Sequence, residues 1–445
     1  MRNSIIHRVR LAPALLATLS MLLVGAACKD ITSLAQENPG TLSVSTLYVP
    51  ANAPLLVNGA IGDFECAFAR YVVGSGLFTD ELTVAISNTA NFDYDARRLL
   101  TNATYGTNQC QSPSPSSTQQ PAIYTPLSTA RATADTALAK LEGWTDAEVA
   151  NRQKLIGQAA TYAGYSLVLL GEGMCSAAIN LGPELQPPAL FTEAVARFNK
   201  AITAATAAND QATLNLARLG RARAELALGG AANLAAAVVD AAVIPATFVA
   251  NTSPDAVNQR RQNIVFINIS QSSFSTVDPA FRNVLVPGGT TQDPRVAVTD
   301  LARTGTATGS KLFLPAKDAA NNAPIRLGSY QEAQLIIAEV AATTGDLQGA
   351  ADAINRARAR TPGLPTYVLE GATAAGVKAQ VLEERRRELF LEGHRLGDVR
   401  RFGVEFGPAP GSAYQYGGVY GNQRCFPLPD VERINNPTIA KAGGG

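Results

Sequence analysis

"EERRRELFLEGHRLGDVRRFG" spans Glu383 to Gly403 and holds six arginines and four glutamates among Leu, Phe and Val. Its reading decides the fold. On a helix, Glu383–Arg387 and Glu384–Arg387 stand at i,i+4 and i,i+3 spacing. Leu382, Leu389, Leu396, Val399 and Phe402 supply apolar contacts. A segment this apolar is partly buried, so its charges are expected to be paired. Arginine suits that role because its planar fork binds carboxylate bidentately. His394 follows Gly393 at an expected helix break and reads as a packed, hydrogen-bonded histidine rather than a catalytic one. The stretch is expected to clamp the C-terminal part onto a helical body.

The charge balance agrees with a structural use. The chain has 445 residues, with 37 basic and 36 acidic side chains and a net charge of +1. A nucleic-acid binder carries a basic surplus, so no nucleic-acid partner is expected. At this length the chain can bury a large core.

Residues 1–27 read as a signal peptide. Arg2, His7, Arg8 and Arg10 precede an apolar run from Leu11 to Val24, then Gly25, Ala26 and Ala27. Cys28 after Gly-Ala-Ala resembles a bacterial lipobox, although Gly25 stands where leucine is usual. Acylation of Cys28 followed by a polar tether to about residue 40 is the expectation. Cleavage after Ala27 without lipidation is the alternative.

Beyond the tether most of the chain reads as helix. An amphipathic stretch runs from Leu47 to Val73 and is expected to stop near Gly74-Ser75-Gly76. Alanine-rich segments follow at about 123–143, 146–171, 190–208 and 214–228. Thr145 with Glu148 three residues on gives an N-cap signal. "YQEAQLIIAEVAATTGDLQGAADAINRARARTPGLP" from Tyr330 reads as helix, Thr-Gly-Asp turn, helix and proline stop, close to a tetratricopeptide unit. The segment 245–325 is rich in Asn, Ser, Thr, Pro and Gly and reads as loop with a few short strands. The expected fold is therefore all-α dominated. Helix pairs at about 121–230 and 328–403 form a body, with a loop-rich subdomain and a C-terminal segment 404–445 inside one domain, 41–445.

Catalytic signals are scarce. His7 and His394 are the only histidines, and the cysteines lack zinc-ligand spacing, so no metal or cofactor is expected. Phosphate-loop, nucleophile-elbow and dinucleotide fingerprints are absent. Asp93 and Asp95 in "NFDYDAR" read as a solvated loop rather than a calcium site. With Cys28 set aside, Cys66, Cys110, Cys175 and Cys425 remain, an even number consistent with two disulfides in three connectivities.

Taken together, "ERRRELFLEGHRLGDVRRFG" resembles the C-terminal signature of the SusD/RagB family. The matching positions include Glu384, Arg385, Arg386, Glu388, Glu392, His394, Arg395 and Asp398. The Cys28 lipobox with Lys29-Asp30, the helix pair from Tyr330 and the late "FPLPDVERINNP" fall in the family's order. The resemblance implies a lipid-anchored outer-membrane protein, facing outside, with a tetratricopeptide-like body. It further implies a SusC-like TonB-dependent transporter as partner, a glycan or peptide as ligand, and binding rather than catalysis. The alternatives are a secreted helical glycoside hydrolase and a protein-binding scaffold. Loop aromatics Phe92, Tyr94 and Phe274 are the candidate ligand residues, since a sugar offers apolar CH faces ringed by hydroxyls. Cys66 and Cys110 both lie in the N-terminal region. The family's C-terminal segment folds back over the body, which implies that Cys425 meets Cys175. Cys66–Cys110 and Cys175–Cys425 are the expected pairs.

Overall fold

The computed structural model describes residues 44–86, 89–110, 122–305, 309–405 and 407–442. The expected signal peptide and Cys28 lie outside the described residues. The chain divides into two units, 1–49 and 50–445; of the first, a short helix Val44–Leu47 is described.

In the second unit the central helix is α1, Ala53–Phe78, followed by α2, Thr89–Asp95. From Phe64 to Phe78 every residue of α1 is buried, Glu65, Arg70 and Ser75 included, so the helix is covered on all sides and runs through the core. This burial carries it past Gly74-Ser75-Gly76, where a stop was expected, because packing outweighs the low helix propensity of two glycines. α3 Tyr124–Gly143 and α4 Arg152–Gly173 pack on α1; α5 Pro187–Ala207 then packs on α4, α6 Gln211–Leu228 on α5 and α7 Gly230–Ala242 on α6.

Small residues let these helices approach. A Cβ on Gly164 or Gly220 would come within 2.8 Å of the Phe198 ring, which fills the space both glycines leave. The capping bonds of Thr145 form, with Glu148 Oε2 accepting from its N–H and hydroxyl at 2.7 Å. They close a turn, however, and α4 starts later, at Arg152 after the left-handed Asn151.

The second helical group holds α8 Tyr330–Thr344, α9 Leu347–Arg358, α10 Ala374–Glu388 and α11 Arg395–Phe402. Ser329 caps α8 by accepting from the Glu332 N–H. Gly345, at φ +88°, ends it, and Asp346 caps α9 by accepting from the Gly349 N–H. The Thr-Gly-Asp turn is built this way.

Eight short strands form four antiparallel two-stranded ribbons among the described residues. They are β1 Leu82–Val84, β2 Ala177–Ala178, β3 Glu184–Leu185, β4 Val249–Asn251, β5 Ser275–Val277, β6 Val298–Thr304, β7 Lys311–Pro315 and β8 Arg326–Ser329. β1 pairs with β5, Thr83 opposite Thr276, which places the loop-rich segment beside the residues after α1.

Candidate functional site

The signature stretch occupies α10, α11 and the turn between them, with Gly393 at φ +73° and His394 at the N-cap of α11. Its charges are paired, but mostly not within the helix. Glu383 bonds Arg387 at 2.7 Å as expected. The expected Glu384–Arg387 pair does not form. Glu384 faces the interior, where it accepts from Arg358 of α9 at 2.5 Å and Arg295 at 2.7 Å, and Arg387 turns to Asp293 at 3.2 Å. Glu388 and Glu392 share Arg326, and Glu392 also holds Lys317. Arg395 grips Asp80 bidentately at 2.6 and 2.7 Å. Arg386 lies 4.1 Å from the Phe281 ring centroid. The stretch therefore ties α8, α9 and the loop-rich segment together.

His394 sits in this network as a neutral ring. Burial, then Arg223 and Arg385, hold its pKa well below the usual value, and the Arg223 Nη1 donates to Nε2 at 3.3 Å. Arg223 is itself clamped on Glu172 at 2.5 and 2.7 Å. A proton carrier needs access to its reactant; His394 is 3% exposed. The ring is a packing element.

A different constellation reaches the surface. Tyr414, Tyr416 and Tyr420 stand in a Gly-rich loop, 411–420, closed on itself by Gly411 N–H to Tyr420 and Tyr420 N–H to Ser412. The loop is seated on the residues after α2. Gly421 N–H donates to the Ala96 carbonyl at 2.7 Å, and Gln423 bonds both the N–H and the carbonyl of Leu99. Gly421 permits this, since a Cβ there would lie 2.1 Å from the Arg97 oxygen.

The seating brings Phe92 against Tyr414 and Tyr416, with Tyr420 on the far side of Tyr414. Phe92 and Tyr416 stack at 4.9 Å and 15° between ring planes. Tyr414 meets Phe92, Tyr416 and Tyr420 edge-on at 5.9, 5.4 and 5.1 Å. The Arg98 guanidinium lies over Tyr414 and that of Arg97 over Tyr420. Tyr414 is buried, whereas Phe92, Tyr416 and Tyr420 are half-buried and Gln415 is exposed. The result is an aromatic platform with polar edges.

Of the three aromatics named from sequence, the structure brings only Phe92 to this platform. Tyr94 is fully buried, 6.0 Å from the Phe426 ring. Phe274 is 8% exposed, and its carbonyl accepts from Ala85 N–H. Neither offers a face to a ligand. Asp95, read as part of a solvated loop, ends α2 and is buried beneath the platform. Tyr414, Tyr416 and Tyr420 were missed because no local signal joins them to Phe92.

Cysteines tie the same region down. Cys66 is bonded to Cys110, and Cys175 to Cys425. Next to the latter bond, Cys175 N–H donates to the Phe426 carbonyl and Phe426 N–H to that of Gly173. A groove of about 710 Å³ lies elsewhere, between α6, α7, α8, α10 and α11, with Leu226, Leu234, Leu382 and Phe402 among its lining.

The SusD family model matches residues 319–436, which include the whole signature. No curated protein matches the sequence. Among solved structures, a SusD superfamily protein from Bacteroides fragilis is 14% identical, with a TM-score of 0.64 over 88% of this chain and 99% of that one. A SusD-like carbohydrate binding protein from Bacteroides vulgatus is 14% identical, with a TM-score of 0.63 over 88% and 98%. Surface glycan-binding protein A from Bacteroides uniformis is 15% identical, with a TM-score of 0.62 over 87% and 98%. Residues 319–436 thus match the SusD family, and the chain shares the helical fold of the SusD superfamily structures.

Proposed function

We propose that the protein binds a glycan on the Phe92–Tyr416–Tyr420 platform and delivers it to a TonB-dependent barrel transporter. The observation that carries this reading is the half-buried Phe92–Tyr416 stack, with Arg98 over Tyr414, Arg97 over Tyr420 and the exposed Gln415 next to Tyr416 in the chain. Aromatic faces match the CH patches of a pyranose, and neighbouring polar groups match its hydroxyls. The names of two structural neighbours, a carbohydrate binding protein and a surface glycan-binding protein, support the ligand class. In this reading Cys28 carries the lipid that holds the protein on the outer face of the outer membrane, and the protein does no chemistry on its ligand.

The test is incubation of the purified protein with soluble polysaccharides. Retarded migration in polysaccharide-containing native gels, without new reducing ends, is the expected result. New reducing ends would identify an enzyme instead. Co-purification of a barrel transporter from native membranes tests the delivery step.

A further inference from the structure

Asp95 lies directly under the platform and is 8% exposed. Its Oδ2 accepts three hydrogen bonds: from the Thr83 hydroxyl at 2.9 Å, the Val84 N–H at 3.2 Å and the Tyr414 hydroxyl at 3.1 Å. Thr83 also accepts from the Gln415 side chain at 3.4 Å. One oxygen thus joins β1, α2 and the 411–420 loop. The ring it anchors is the one that Phe92, Tyr416 and Tyr420 all meet edge-on.

Resting on the platform reading above, we propose that Asp95 is a positioning residue for the platform. Its carboxylate seats Tyr414 under the ligand-facing rings, and protonation of that carboxylate loosens them. Hydrogen bonds to an ionised acceptor are about twice as strong as neutral ones. A proton on Oδ1 turns Oδ2 into a carbonyl oxygen and weakens all three bonds at once.

The surroundings place this change in mildly acidic solution. Burial raises the Asp95 carboxyl, the Val84, Thr83 and Tyr414 bonds pull it back, and Asp278 pushes it up again, to about 6. Arg97, two residues on, faces it as a positive charge, and the Tyr420 phenol faces it from the loop. Burial, then Asp95 itself, keeps the Tyr414 phenol protonated, so Tyr414 remains the donor.

The experiment is ¹⁹F NMR of the 3-fluorotyrosine-labelled protein between about pH 5 and 7.5. It is paired with native gels containing amylopectin, xylan or galactomannan. The Tyr416 and Tyr420 resonances, assigned by Tyr→Phe variants, are expected to move together with a midpoint near pH 6. In Asp95→Asn they should stay at their acid position throughout. Tyr414→Phe, which keeps the ring and removes only the hydroxyl, should remove most of the step. Affinity for a polysaccharide that retards wild type should fall about tenfold across the same range and be flat in Asp95→Asn. Resonances that do not move, or a step that survives in Asp95→Asn, overturn the proposal. A step that depends on Asp95 without retardation by any of the three polysaccharides upholds the positioning role and counts against the glycan reading. Retardation with resonances indifferent to Asp95 does the reverse.

Discussion

Arg385 and Asp398 face each other through two parallel hydrogen bonds, Nε to Oδ2 at 2.9 Å and Nη2 to Oδ1 at 2.8 Å, with both side chains buried. Arg401 adds a bond to Asp398 at 2.8 Å and grips Glu339 of α8, which also lies 3.5 Å from Arg385. Burial by itself would raise the Asp398 carboxyl, but Arg385 and Arg401 hold it below the usual range. The two halves of the signature are thus joined to each other and to the tetratricopeptide-like pair.

Breaking a buried pair strands the other charge. Arg385→Ala or Asp398→Ala should cost on the order of 3–5 kcal/mol. Glu383→Ala, whose side chain is 34% exposed, should cost less than about 1 kcal/mol. Chemical denaturation of the three variants measures this. Similar small losses in all three would mean that the signature is a solvated face.

Glu332 gives a pH prediction. Both its oxygens lack a hydrogen-bond partner among the described residues, and burial raises its carboxyl to about 7. The unfolded value is about 4.3. The stability this group supplies is therefore full below about pH 4 and lost as pH rises through about 7. Glu332→Gln should melt close to wild type at pH 5 and above it at pH 8.5. An equal gap at both pH values would show that the charge is not the cause.

The Cys175–Cys425 bond spans 250 residues, a closure for which the chain-entropy model gives about 5 kcal/mol as an upper figure. The double serine variant should unfold at clearly lower denaturant. Non-reducing peptide mapping of exported protein should recover Cys66–Cys110 and Cys175–Cys425. Four free thiols or a Cys66–Cys175 linkage would contradict this.

Much of the fold was legible in local signals. The Thr-Gly-Asp turn marked one helix pair in the sequence itself, and Gly345 and the Asp346 cap build it. Charge composition showed that the signature is paired, yet not with whom: Glu384 finds Arg358 and Arg295, 26 and 89 positions away. The site was least legible. Tyr414, Tyr416 and Tyr420 lie in a Gly-rich loop without periodicity. Their register against Phe92 depends on bonds such as Gln423 to Leu99, across 324 positions. Asp95 looked solvated because its partners Thr83, Val84 and Tyr414 are joined to it only by the fold.

The proposed membrane attachment through Cys28 has its own test. Cys28→Ala should leave the outer-membrane fraction and appear in soluble extracts. A variant that still sediments with outer membrane in cells lacking the partner barrel would rule out a lipid anchor.

The most direct measurement is the affinity of a Phe92→Ala, Tyr416→Ala double variant for a polysaccharide that binds wild type, with matched melting curves. The account predicts a loss of about thirtyfold or more, on the order of 2 kcal/mol for a binding hot spot, with melting little changed. Unchanged affinity in the folded double variant would contradict it and move the ligand site elsewhere on the molecule.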